Sequence, residues 1–208
     1  MLKGIENIIF DLGGVIINLN QDLTYKVFKE LFDDNFDKII DEATVDNIFE
    51  HYETGNLSTL QFLNFFQKYK LVLSHQQLTS AWNSMLLDIP KSRIDLIQEL
   101  SKNYNVYLLS NTNEIHYDYI EEYYKKNFKQ GSFESLFKKV YLSYQVGLRK
   151  PTTEIFQFVL QDEELNPEDT LFIDDSLEHI NSALKLGIKA QHLNLKNNKT
   201  LTTLLNEH

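Results

Sequence analysis

No cysteine occurs in the 208 residues, so neither a disulfide framework nor a thiolate metal site is open to this chain, and a reducing compartment fits. With only 3 prolines and 7 glycines, a collagen-like or linker-dominated chain is excluded. No apolar run approaches the ~20 residues needed to cross a bilayer. The run Ile8 to Phe10 meets Asp11 far short of a signal-peptide core. Positive charge is also short. The 20 Lys and Arg against 30 Asp and Glu leave a formal charge of -10, which argues against a nucleic-acid or anionic-membrane partner. What is present is an ordinary globular composition, 42% hydrophobic, with the cytoplasm as the default address and oligomeric state left open.

Four short apolar runs share one grammar, each ending in polar or glycine residues as a buried parallel strand does. Ile8-Ile9-Phe10 closes on Asp11-Leu12-Gly13-Gly14, and Val106 to Leu109 on Ser110-Asn111. Val140 to Leu142 runs into Ser143 and then Gly147, and Leu171 to Ile173 into Asp174-Asp175. A fifth strand is expected near Lys189 to Leu193. Helical patterns over Ser92 to Lys102, Thr153 to Leu160 and Leu177 to Leu186 separate these runs.

From Asn18 to Pro90 the strand grammar stops, and aromatics recur at helical spacing, as at Phe62, Phe65, Phe66 and Tyr69. That stripe reads as core packing. Ser58-Thr59-Leu60-Gln61 has the spacing of a capping box after the turn-forming Gly55-Asn56, so a helix is expected to start at Ser58. Lys196 to Lys199 reads as a loop before a short terminal helix.

The fold class that follows is α/β, a Rossmann-like parallel sheet core in three α/β/α layers with a small helical cap inserted after the first strand. The core is expected over residues 1–17 and 91–208 and the cap over 18–90. Ligands of such sheets sit beyond the carboxyl ends of the strands, where Asp11, Ser110 and Asp174 would converge.

Ile8-Ile9-Phe10-Asp11, Leu108-Leu109-Ser110-Asn111, Lys150-Pro151 and Phe172-Ile173-Asp174-Asp175 resemble, in order and spacing, the four motifs of the haloacid dehalogenase-like hydrolase superfamily. Any one of them alone is weak: an Asp at a strand end caps turns, a Ser there is an ordinary turn residue, and a Lys is usually solvated. Four together are specific. The resemblance implies a phosphatase in which Asp11 is the nucleophile. A carboxylate is ionised at neutral pH and forms a reactive acyl phosphate that water can hydrolyse. Bringing it against a phosphate dianion needs positive charge, which Mg2+ supplies. Two adjacent acids at one strand end repel unless a cation shares the site.

The resemblance further implies that Asp11, the carbonyl of Gly13 and Asp174 ligate magnesium, with Asp175 acting on the metal shell indirectly. Ser110, Asn111 and Lys150 would hold the phosphoryl group of a small phosphorylated substrate, and Lys150 would also neutralise charge on Asp11. Pro151 is expected to fix the chain after Lys150 and to begin the next helix, with Arg149 the exposed partner of a nearby acid. Asn181, on the helix after the fourth motif, would orient Lys150 or Asp175. His116 reads as a solvated helix residue.

One departure matters. Most phosphatases of this superfamily read Asp-x-Asp in the first motif, and the second Asp protonates the leaving oxygen and then activates water. Here that position is Gly13, as in a branch similar to α-D-glucose-1-phosphate phosphatase. Without the acid, good leaving groups such as anomeric phosphates are favoured over alkyl ones, and a mutase is disfavoured. Two alternatives stand beside the phosphatase: a metal-independent dehalogenase, whose halide leaves unprotonated, and a binding module without turnover. The insert matches the position of a substrate-reading cap, for which Asn18, Asn20 and Glu53 are candidate polar residues.

Overall fold

The computed structural model describes residues 2–129, 131–194 and 201. Five parallel strands form one sheet in the order β3-β2-β1-β4-β5. They are β1 (Asn7–Phe10), β2 (Asn105–Ser110), β3 (Lys139–Leu142), β4 (Thr170–Asp174) and β5 (Lys189–His192). β1 to β4 each contain the run from which the sequence predicts them, and β5 ends one residue before the expected Leu193. β1 is central, with the chain passing to β2 and β3 on one side and then to β4 and β5 on the other. The crevice beyond its carboxyl end is therefore a topological switch point, the usual ligand position in such sheets.

Ten α-helices connect the strands among the described residues. α1 (Gln21–Phe32), α2 (Phe36–Val45), α3 (Ile48–Glu53), α4 (Thr59–Gln67), α5 (His75–Trp82) and α6 (Lys91–Leu100) lie between β1 and β2. α7 (Glu114–Phe128), α8 (Ser143–Val146), α9 (Thr153–Asp162) and α10 (Leu177–Leu184) follow. Strand residues alternate between two cores because the side-chain period of a strand is two. Ile8, Phe10, Leu108 and Ile173 pack with Ile97 of α6 and Ile120 and Tyr124 of α7. Ile9, Tyr107, Leu109 and Phe172 pack on the opposite face with Phe156 of α9 and Ala183 of α10. Both faces of the sheet are thus covered, giving the three-layer arrangement. No helix among the described residues is long and apolar enough to cross a membrane.

The helices between β1 and α6 have a core of their own, built from Phe28, Phe32, Phe36, Phe62 and Phe66 and touching α7 through Ile115. Of the sequence's aromatic stripe, Phe62 and Phe66 are fully buried at i, i+4 spacing, while Phe65 and Tyr69 pack from the rim. α4 starts where its capping box places it: the Ser58 hydroxyl accepts from the Gln61 N–H, and the Gln61 side chain accepts from the Ser58 N–H. α5 repeats the device with Ser74 and Gln77. Ser58→Ala is expected to cost about 1 kcal/mol of stability in denaturant unfolding, because it orphans a first-turn N–H.

Two local expectations need correction. Pro151 does not open the next helix. A turn intervenes, in which the Thr152 N–H and hydroxyl both donate to the Arg149 carbonyl, and α9 begins at Thr153. His116 is not solvated but buried on α7, stacked against Trp82 at 5.1 Å between ring centroids. Its Nε2 lies 3.1 Å from the Trp82 carbonyl, and its Nδ1 lies 3.2 Å from the Asn113 amide nitrogen. Burial, only partly offset by the bond to Trp82, pushes the imidazole down to about 4, so it is neutral. The loop expected at Lys196 to Lys199 lies outside the described residues, as does the terminal helix after it except for Leu201, which is helical and buried.

Candidate active site

Asp11 leaves β1 with its N–H donating to the Ile173 carbonyl of β4 at 2.9 Å, so the ladder holds its backbone while its side chain passes beyond the sheet. Ser110 ends β2 and Asp174 ends β4, on either side of it. Lys150 arrives from the loop before α9 and is fully buried. Its Nζ donates to Asp11 Oδ1 at 2.6 Å, to Asp174 Oδ2 at 2.8 Å and to the Leu109 carbonyl at 2.9 Å. Three acceptors satisfy all three ammonium protons, which is what makes burial of a lysine tolerable.

Asn111 is tied to the same lysine. Its side chain accepts from the Lys150 N–H at 2.9 Å and donates to the Lys150 carbonyl at 2.7 Å, clamping the backbone that carries the ammonium. The amide expected to touch substrate is therefore engaged in positioning Lys150. Ser110 is the reverse case, since its hydroxyl makes only a long 3.4 Å contact to the Asn111 carbonyl and can turn toward a ligand.

Asp174 is held from several sides. Its Oδ1 accepts from the Ser176 N–H at 2.7 Å, and its Oδ2 also faces His179 Nδ1 at 2.9 Å. His179, in the first turn of α10, has no signal in the sequence beyond being a polar residue four positions past the motif. Asn181, expected to orient Lys150 or Asp175, is exposed on α10, and the partners of Lys150 are the two acids and Leu109 instead.

Oxygens of Asp11, Asp174 and Asp175 lie within 4.8 Å of one another. Burial, strengthened by Asp174 and opposed by Lys150, pushes the Asp11 carboxyl up to about 6. Burial acts the same way on Asp174, but Lys150 and His179 outweigh it and bring that carboxyl down to about 2. Asp175 is raised by burial and by Asp174. Lys150 is raised because the two acids outweigh its own burial. Three carboxylates against one lysine leave surplus negative charge, and every ligand atom they offer is a hard oxygen. This donor set fits a small divalent cation such as magnesium.

The proton that Asp11 takes up near pH 6 competes with such a cation. Magnesium affinity is therefore expected to be weaker at about pH 5 than at about pH 7.5, measured by calorimetric titration. In the metal-free protein the Asp11 contribution to stability is full below its ordinary 3.8 and is lost as pH rises through about 6. That of Asp174 is full above 3.8 and is lost as pH falls through about 2.

A cavity of about 440 Å³ opens from the strand ends toward α1, α3 and α5, with Gly13, Ser110 and Asn111 at its floor and Phe28, Phe49 and Trp82 in its wall. Gly13 leaves room there that Leu19 fills. A Cβ at position 13 would lie 2.6 Å from Leu19 Cδ1, so a larger residue needs that side chain to move. Of the three polar residues suggested for substrate reading, Asn18 donates to Asp88 at 2.9 Å and Asn20 caps α1. Only Glu53 lines the cavity. Arg149 is not simply exposed: its guanidinium reaches Glu50 and Glu53 of α3, each at 3.2 Å, joining α3 to the loop that carries Lys150.

Residues 5–187 match the profile of a hydrolase family described as haloacid dehalogenase-like hydrolase. A Bacteroides thetaiotaomicron protein named D-ribitol-5-phosphate phosphatase is 33% identical over 192 residues, covering 89% of this chain and 90% of its own. A haloacid dehalogenase-family enzyme of the same organism, solved with magnesium and inorganic phosphate, superposes with a TM-score of 0.82 at 37% identity. The match covers 90% of this chain and 93% of that one. The structure of a Porphyromonas gingivalis protein described as a predicted haloacid dehalogenase-like family hydrolase is similar at a TM-score of 0.82 and 32% identity, covering 98% of this chain and 99% of that one.

Proposed function

Because the chain belongs to the haloacid dehalogenase-like hydrolases, we propose that it is a magnesium-dependent phosphatase of a small sugar or alditol phosphate, working through an aspartyl phosphate on Asp11. The observation that carries this reading is the assembly of Asp11, Asp174 and Asp175 around the buried ammonium of Lys150 at the central switch point of the sheet.

The phosphoryl group enters beyond β1, where the Ser110 hydroxyl donates to one of its oxygens and Lys150 neutralises charge. An Asp11 oxygen attacks phosphorus as the bond to the leaving oxygen breaks, and with no side-chain acid at Gly13 a water molecule gives the departing oxygen its proton. Water then attacks the phosphorus of the acyl phosphate, releasing phosphate and restoring the Asp11 carboxylate. Asp11, Asp174 and the Gly13 carbonyl would hold magnesium, with Asp175 bonded to its waters; bound there, it supplies the positive charge that lets an anion approach a phosphate dianion. Asn111 and His179 are positioning residues in this scheme, acting through Lys150 and Asp174. Residues 18–90 act as the cap over 1–17 and 91–208, closing the cavity against water.

Gly13 carries no proton for the leaving oxygen, which favours anomeric phosphates on leaving-group grounds. D-ribitol 5-phosphate, for which the relative is named, is a primary alkyl ester, and that weighs against restricting the substrate to anomeric phosphates. We therefore include primary esters in the substrate class. A charge of -10 supports a small-molecule partner over nucleic acid.

The test is magnesium-dependent release of p-nitrophenol from its phosphate, with chelator expected to abolish it. Chloride release from a haloacid without metal would support the dehalogenase instead. Neither activity would leave a binding module.

A further inference from the structure

Among the described residues that line the cavity, Glu53 is the one charged side chain, and no Lys or Arg joins it. His116 is there but neutral, with both ring nitrogens in hydrogen-bonding contact inside the protein. Arg149 approaches Glu53 from behind at 3.2 Å through Oε2, and its other terminal nitrogen is taken by Glu50. One Glu53 oxygen is thereby fixed, and the other has no protein partner among the described residues. Arg149 does not line the cavity, and the two carboxylates on its terminal nitrogens offset its charge, so it brings no net positive charge to a substrate anion.

A second anionic group on the substrate would therefore meet a carboxylate and the apolar wall of Phe28, Phe49 and Trp82, and the uncharged polar residues beside them, such as Gln21, Thr24 and Thr112, bring no counter-charge. A hydroxyl, in contrast, can donate to the free Glu53 oxygen, and its carbon chain can lie on the apolar wall.

We propose that this pocket selects phosphates whose leaving group is an uncharged polyol, with Glu53 accepting a hydroxyl hydrogen bond, and rejects phosphates that carry a carboxylate or second phosphate. The proposal rests on the phosphatase reading and narrows its substrate class. Glu53 acts on specificity and takes no part in the bond-making steps. Arg149, the residue before Lys150, links this reading group to the loop that carries the catalytic ammonium.

The experiment compares kcat and KM, with magnesium saturating, for a pentitol phosphate, the pentonate phosphate of matched configuration and an isoprenyl phosphate. The first two differ only in CH2OH against carboxylate. The pentitol ester is expected to exceed the pentonate by at least about tenfold in kcat/KM. Glu53→Gln should raise KM for the pentitol ester by about fivefold, leave kcat within about twofold, and improve relative use of the pentonate. Equal use of pentitol and pentonate esters by the wild type overturns the proposal, as does preference for the isoprenyl ester. Loss of all substrates by the same factor in Glu53→Gln, with pentonate gaining nothing, would reduce Glu53 to a structural partner of Arg149. The wild-type comparison stands even if the variant folds poorly. Failure to cleave p-nitrophenyl phosphate at all would instead remove the phosphatase reading beneath it.

Discussion

Asp11→Asn is expected to lower kcat by at least about a thousandfold with magnesium saturating, because the amide is neither a nucleophile toward phosphorus nor an anionic metal ligand. The fold should survive. Lys150 keeps two of its three acceptors, Asp174 and the Leu109 carbonyl, and the Asp11 backbone bond to Ile173 does not depend on the side chain. The sign of the stability change follows from the pKa. Burial raises Asp11 to about 6, so at neutral pH in the metal-free protein the ionised carboxylate opposes folding, and an uncharged amide should melt at the same temperature or higher. Thermal melts and initial-rate measurements on the same preparation check both halves. A variant that keeps more than about a tenth of wild-type kcat would give the nucleophilic role to another residue.

Lys150→Met should be damaging in a different way. The ammonium is completely buried and separates two carboxylates, so its removal leaves Asp11 and Asp174 facing each other without a counter-charge. Breaking a buried pair in this fashion costs about 3–5 kcal/mol, and the metal-free variant should be destabilised by that order in denaturant unfolding. Magnesium held by the same acids should restore part of the loss, so the stability gained on adding it should be larger in the variant than in the wild type. Activity with magnesium is expected to fall by about a hundredfold or more, since the charge that stabilises the transferring phosphoryl group is gone. Unchanged stability in the metal-free variant would show that the two acids do not depend on Lys150.

β1 to β4 are legible because each holds a short apolar run with a polar stop, a pattern written in four or five adjacent residues, whereas β5, Lys-Ala-Gln-His, lacks that pattern. The α4 start was legible for the same reason, as Ser58 and Gln61 are three residues apart and cap each other. Helix ends moved by a residue or two where capping was not spelled out, as at α6 and α10. His116 was misread because the residues that bury it, above all Trp82 on α5, belong to a distant helix. Nothing next to it in sequence reports their approach.

Asp11, Ser110, Lys150 and Asp174 could be named from the sequence because each sits in a local motif at a strand end or beside a proline. Their arrangement could not: Lys150 meets Asp11 across 139 positions and Asp174 across 24. The role of Asn111 as a clamp on Lys150 and the grip of His179 on Asp174 are likewise products of packing. What the sequence by itself determined is the alternation of strand and helix, the acids and lysine available for chemistry, and the missing proton donor at Gly13. Tertiary structure alone decided that Leu19 closes over Gly13, that Glu53, paired with Arg149, is the one charged side chain among the described residues lining the cavity, and that Lys150 loses its water. The physical reason is that periodicity and capping depend on neighbours a few residues away, whereas burial and charge pairing depend on which distant segments the sheet brings together.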